Sequence, residues 1–87
     1  MRTIWKFPIP IIDEIEVLMP AGAEVLSVGN QQEAAQVWAA VDDEMPTNHR
    51  HFKLRGTGHP LTGDEGRFVG SFQLAGGRLV FHLFEAA

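Results

Sequence analysis

The segment Arg55-Gly56-Thr57-Gly58-His59 is the part of the sequence best suited to bind an anion. Glycines let backbone amides approach a ligand closely, and successive amides in a turn can form an anion-binding nest. Arg55 could offer a forked donor to phosphate, Thr57 a hydroxyl, and His59 a donor when it is protonated. The segment is not a P-loop, because it lacks the Lys-Ser/Thr ending and a following helix. Two interpretations therefore stay open: an anion site, or the commoner glycine-rich turn after a basic strand.

Three further cations, Lys53, Arg50 and Arg67, could strengthen such a site. Lys53 precedes Arg55 by two residues, so the two side chains share a face if this segment is a strand. Residues 49–59 contain three cations, three histidines and no acid, whereas the whole chain carries a net charge of −4. The negative total argues against nucleic acid as a partner, because phosphate backbones are bound through many cations.

His49 and His51 are spaced so that, on a strand, both imidazoles share a face and could chelate a metal ion. A metal enzyme of the double-stranded β-barrel type would need a third ligand, commonly a carboxylate, shortly downstream. The sequence has Lys53 and Arg55 there instead, and two cations oppose a divalent ion. We therefore expect no metal site and no cofactor.

Catalytic groups are also poorly represented. Asp64 and Glu65 lie near His59 in a glycine-rich loop, and acids cluster again at residues 42–44. A general acid or base needs a perturbed environment, and loop acids between glycines are usually solvated. The chain has neither a Gly-X-Ser-X-Gly elbow nor a cysteine nucleophile. We expect a protein that is not an enzyme.

Short strands must position these residues, because glycine and proline divide the chain into segments that mostly alternate with period two. Residues 32–41 fit a strand by alternation or a helix by their alanines and glutamines, and the strand is slightly favoured. The Ala75-Gly76-Gly77 sequence predicts a hairpin turn. Residues 1–87 thus predict one all-β domain, a small antiparallel β-sandwich or barrel of about six to seven strands. The other predicted strands are Thr3–Phe7, Glu14–Met19, Glu24–Val28, His49–Arg55, Arg67–Leu74 and Arg78–Phe84.

The strand predicted at Arg78–Phe84 is apolar on both faces. A domain of this size can cover one face of such a strand with its own core but has no further layer to cover the other face. We expect Val80 and Phe84 to meet a partner subunit in a homo-oligomer, with burial of the strand inside one chain as the alternative. Trp5 and Trp38 are expected in the core.

The composition favours a cytoplasmic protein that makes no membrane contact. There is no cysteine, and no apolar run is long enough to span a bilayer. Pro8, Pro10 and Asp13 interrupt the N-terminal apolar stretch, which therefore does not resemble a signal peptide.

The chain resembles a family of uncharacterised small proteins from bacteriophages and bacterial prophages in the blocks TIWKFPI, MPAGAEVLSV, FKLRGTGHPL and RFVGSFQLAGGRLVFHLFE. The resemblance covers nearly the whole chain and implies a phage-related origin, the host cytoplasm as location, and a strand at Val37–Val41. It transfers no catalytic residue. Small phage proteins of this size often act against host defence, and many are homo-oligomers.

The sequence thus favours a phage-type, homo-oligomeric binding protein that sequesters an anionic, nucleotide-like ligand such as a host immune signal. The alternative is a protein–protein inhibitor, or an accessory structural protein, that docks on a host or phage protein through acidic loops and an apolar strand. The predicted ligand-binding residues are Lys53, Arg55, Thr57, Gly58, His59, Arg50 and Arg67.

Overall fold

Seven strands form the scaffold in the computed structural model, which describes residues 1–87. A 3₁₀ turn at Ala75–Gly77 joins the last two, and no helix is long and apolar enough to cross a membrane. The predicted all-β class is confirmed. The strands are β1 (Arg2–Pro8), β2 (Glu14–Pro20), β3 (Glu24–Gln31), β4 (Ala34–Asp42), β5 (Thr47–Gly56), β6 (Arg67–Leu74) and β7 (Leu79–Glu85).

The strands form two antiparallel sheets that pack on each other as a sandwich, which decides between the two predicted architectures. One sheet has the order β1-β4-β3 and the other the order β2-β5-β7-β6. Hydrogen bonds join the two sheets where the tip of the β3–β4 hairpin meets the tip of the β6–β7 hairpin. Asn30 Nδ2 donates to the Gln73 carbonyl at 2.8 Å, and the Ala75 amide donates to Glu33 Oε1 at 2.7 Å.

The core lies between the two sheets, because alternate residues of each strand point to the same face. Phe52, Met19 and Leu83 are almost completely buried there and form its bulk, together with Val37 and Val41 of the central strand β4. The opposite face of the four-stranded sheet carries four side chains of β5, namely His49, His51, Lys53 and Arg55. This alternation gives the candidate site a rigid floor.

Residues 32–41 form the end of a hairpin and most of strand β4, so the favoured interpretation as a strand is confirmed. Gln32 and Glu33 both have positive φ, 54° and 62°, as a two-residue type I′ turn requires. Asn30 Oδ1 accepts a hydrogen bond from the Glu33 amide at 2.8 Å and supports the turn. Pairing of β4 on both edges outweighs the helix propensity of its alanines.

Neither tryptophan is a core residue, so that expectation is wrong. Trp5 lies opposite Ala39 and faces inward, but β1 is an edge strand and 41% of the side chain remains exposed. Trp38 is half-buried on the outward face of the three-stranded sheet, where its ring packs against Gly29. A Cβ at Gly29 would lie 3.3 Å from that ring. The central strand β4 fills its inward positions with smaller side chains instead.

Candidate functional site

A cavity of about 310 Å³ opens between the outer face of the four-stranded sheet and the loop that follows β5. Its volume is at the lower end of the range for small-molecule sites. Four of the seven predicted ligand-binding residues line it, namely Arg55, Thr57, Gly58 and His59. The sheet supplies the other side, with Phe68 from β6 and His82 and Phe84 from β7, and Leu61 completes the loop side.

A tight turn at Gly56–His59 forms the loop side of the cavity. The His59 amide donates to the Gly56 carbonyl at 3.0 Å, and Gly58 has a φ of +89°. A glycine is favoured there because few L-residues adopt that conformation. The Thr57 amide donates to the Val80 carbonyl at 3.1 Å, which ties the turn to β7. The Gly58 amide makes no hydrogen bond within the chain and is available to a ligand.

Arg55 is held in place by backbone carbonyls. Its Nη1 donates to the carbonyls of Asp13 and Leu54 at 3.2 and 2.9 Å, and its Nε lies 3.8 Å from Glu65 Oε2. Nη2 makes no hydrogen bond within the chain. Of the five N–H donors of the guanidinium, the two on Nη1 hold the side chain in place and the one on Nε lies beside Glu65, so the two on Nη2 remain for a ligand.

Glu65 is buried, and it anchors the loop. It accepts hydrogen bonds from the Thr62 amide at 2.7 Å, from Thr62 Oγ1 at 2.9 Å and from the Gly63 amide at 3.0 Å. The backbone hydrogen bond from Thr62 is the main reason that the pKa of Glu65 is lowered. The expectation that this acid is solvated is wrong, because it folds back onto its own loop.

His82 links both sides of the cavity floor and was absent from the predicted site. Its Nε2 lies 2.7 Å from Thr57 Oγ1, and its Nδ1 lies 2.6 Å from Ser71 Oγ. Both ring nitrogens are therefore hydrogen-bonded, and the ring fixes the Thr57 hydroxyl. The sequence signal for His82 was its place in β7 on the same face as Phe84, but that face was expected to meet a partner subunit.

Lys53 shares the outer face with Arg55, as predicted, but it lies outside the cavity. Its Nζ is 3.3 Å from Asp64 Oδ2 and 3.7 Å from Glu14 Oε1. The pKa of Asp64 is lowered, first by its hydrogen bond from Thr62 and then by that from Lys53. The positive charge of Lys53 is thus offset within the chain.

Arg50 and Arg67 also lie away from the cavity. Arg50 alternates with buried Phe52 and therefore points to the inner face of the sheet. Its Nε is 2.6 Å from Glu85 Oε2, and its Nη1 donates to the Ala23 carbonyl at 2.8 Å. Arg67 Nη2 is 3.2 Å from Glu85 Oε1. The two arginines form a structural cluster around one carboxylate.

The apolar outer face of β7 is partly covered by its own chain. Phe84 packs edge-on against Phe68 with ring centroids 5.5 Å apart, and both rings line the cavity. Part of the surface expected at a subunit interface therefore borders this cavity. Oligomerisation through Val80 and Phe84 stays a prediction.

A family model for a domain of unknown function, DUF7352, matches residues 1–87, and the chain belongs to that family. This bears out the resemblance to an uncharacterised family. No curated protein and no solved structure matches the chain.

Proposed function

We propose that this DUF7352 domain is a binding protein whose cavity takes a small, planar, anionic ligand of the nucleotide class. One observation carries the proposal: a guanidinium with unused donors and two phenyl rings line the same cavity. A nucleotide carries a phosphate and an aromatic base, so its site needs hydrogen-bond donors and an aromatic surface side by side.

The anionic group would lie at Arg55 and the turn after β5. Arg55 Nη2 and the Gly58 amide both have free N–H donors, and the His59 ring stands beside them. Glu65 near the guanidinium offsets part of its charge. Directed hydrogen bonds would therefore contribute more to phosphate binding here than net charge does.

The planar part of the ligand would pack against Phe68 and Phe84. Phe68 is 54% exposed, so a large part of its surface remains free for a ligand. Stacking of a base on an aromatic side chain is worth about 1–3 kcal/mol. Leu61, which is 61% exposed on the loop, would close over the ring from the other side.

The finer form of the proposal is a phage-encoded, homo-oligomeric protein that sequesters a host immune signal in the cytoplasm. Sequestration requires tight binding, which hydrogen-bond donors and phenyl rings lining one cavity could supply. An oligomer assembled through Val80 and Phe84 would bring a second copy to the rim of the cavity. Light scattering that gives a monomer at micromolar concentration would remove the oligomeric part of the proposal.

Calorimetry and thermal melting with a panel of mononucleotides, cyclic nucleotides and ADP-ribose derivatives test the proposal. Ligand at about 100 times its dissociation constant should stabilise the fold by about 2.7 kcal/mol. Matched nucleosides without phosphate should bind at least about tenfold more weakly, since charge-assisted hydrogen bonds are worth about 1.5–3 kcal/mol.

Two cavity variants and one control make the test specific. Arg55→Gln should weaken phosphate-bearing ligands selectively, whereas Phe68→Ala should weaken nucleotides and nucleosides alike. Arg2→Gln is the control, because it removes an exposed arginine that pairs with Glu24 in the three-stranded sheet. It should leave the affinity for every ligand of the panel unchanged. No binding by any panel member would refute the nucleotide proposal. A stoichiometric protein partner recovered without a small ligand would favour the inhibitor or accessory protein instead.

A further inference from the structure

We propose that Glu16, His49 and His51 form a surface site for a divalent transition-metal ion such as Zn²⁺. Strand β2 pairs antiparallel with β5, and this register places Glu16 opposite His51 and Leu18 opposite His49. Glu16 Oε1 lies 2.6 Å from His49 Nδ1, and Oε2 lies 3.6 Å from His51 Nδ1. One carboxylate thus stands between two imidazoles on one face.

This trio supplies the ligand that the sequence lacks downstream of the histidines. Two histidines and one carboxylate are an established zinc ligand set, with open positions left for water. The ligand atoms of the three side chains do not all lie within 4.8 Å of one another, so the site forms only when the imidazole rings turn toward a shared ion. The side chains of His49, His51 and Glu16 are 59%, 59% and 51% exposed, so the rings have room to rotate and water can complete the coordination. Arg50, between the two histidines in sequence, points to the opposite face and pairs with Glu85.

The nearby cations do not exclude a divalent ion. Lys53 is next along the same face of β5, but its charge is offset by Asp64 and Glu14. Arg55 is turned toward the cavity beside Glu65. The two cations therefore repel an ion at this site less than the sequence suggested.

Isothermal titration of the full chain with ZnCl₂ at neutral pH, without an affinity tag, tests this proposal. We expect one Zn²⁺ per chain. His49→Ala, His51→Ala and Glu16→Gln should each weaken binding by about tenfold or more, since even loss of a supporting residue costs that much. His59→Ala is the matched control, because it removes an exposed histidine outside the trio, and it should leave the affinity within about twofold of that of the unmodified chain.

Three results would overturn the proposal. The first is no zinc binding at all, and the second is equal loss of affinity in His59→Ala and His49→Ala. The third is binding that survives in the double variant His49→Ala/His51→Ala but disappears in Asp43→Asn. That result would place the ion at the exposed acidic cluster of residues 42–44, where the N-terminal ammonium is bound. Melting temperatures of all variants in EDTA confirm that each is folded.

Discussion

Glu85 should contribute strongly to stability, although its side chain lies on the face of the sheet opposite to the candidate site. Its carboxylate is only 12% exposed and bridges Arg50 and Arg67 at 2.6 and 3.2 Å. Because the Arg50 side chain is only 22% exposed, Glu85→Ala would leave a cation partly buried without its partner. The variant should therefore be strongly destabilised.

The expected size follows from the burial of this pair. Breaking a fully buried ion pair costs about 3–5 kcal/mol, whereas exposed pairs are worth about 0–1 kcal/mol. Arg50 is partly exposed and keeps its hydrogen bond to the Ala23 carbonyl, so a value between these limits is expected. We predict a loss of about 2–3 kcal/mol, which lowers Tm by about 10–20 °C in a domain of this size.

Urea unfolding followed by tryptophan fluorescence measures the effect, and Glu24→Ala is the matched control. Glu24 also accepts a hydrogen bond from an arginine, Arg2, at 2.9 Å, but the side chains of both residues are more than 60% exposed. Its removal should cost less than about 1 kcal/mol. If Glu85→Ala is destabilised no more than Glu24→Ala, the Arg50–Glu85–Arg67 cluster does not stabilise the fold.

Two further predictions concern the loop that forms the cavity. Gly66→Ala should cost about 2–5 kcal/mol in urea unfolding, because φ is +99° and a Cβ would lie 2.1 Å from the Glu85 carbonyl oxygen. Gly63→Ala, with a φ of +94° and open space around it, should cost only about 1–2 kcal/mol, and equal losses would contradict this. The pKa of Glu65 is lowered from its ordinary value of 4.5, chiefly by the hydrogen bond from the Thr62 amide. The ionised carboxylate therefore stabilises the fold at pH values above 4.5, and this stabilisation is lost as the pH falls through the lower pKa of the folded state. Thermal melting across pH should therefore show Glu65→Gln less stable than the unmodified chain near neutral pH, with the difference shrinking in acid, and a constant difference would refute the linkage.

The strands could be predicted because each carries its own local signal. Arg67–Leu74 was predicted with both ends correct, since the Gly66 before it and the Ala75-Gly76-Gly77 turn after it delimit the segment. Residues 32–41 could not be decided from propensity alone. Their strand depends on partners at residues 2–8 and 24–31, and local sequence does not reveal such distant pairing.

The candidate site was predictable only in part, because neighbours across the sheet decide what each side chain does. The turn from Arg55 to His59 lines the cavity, as its glycines suggested. His82 and Phe68 come from other strands and join the turn only through the order β5-β7-β6. No spacing along the chain indicates that His82 contacts Thr57, 25 residues away.

Neighbours across the sheet also decide how much charge the site carries. The positive stretch at residues 49–59 suggested a concentrated cationic surface, but every cation proposed for the site has a carboxylate within 4 Å in the folded chain. Glu65 lies beside Arg55, Asp64 beside Lys53, and Glu85 beside both Arg50 and Arg67. Folding thus turns a basic segment into a nearly neutral network. Any anion bound at Arg55 must depend on free hydrogen-bond donors, and its binding should respond less to salt than a site made of unpaired cations would.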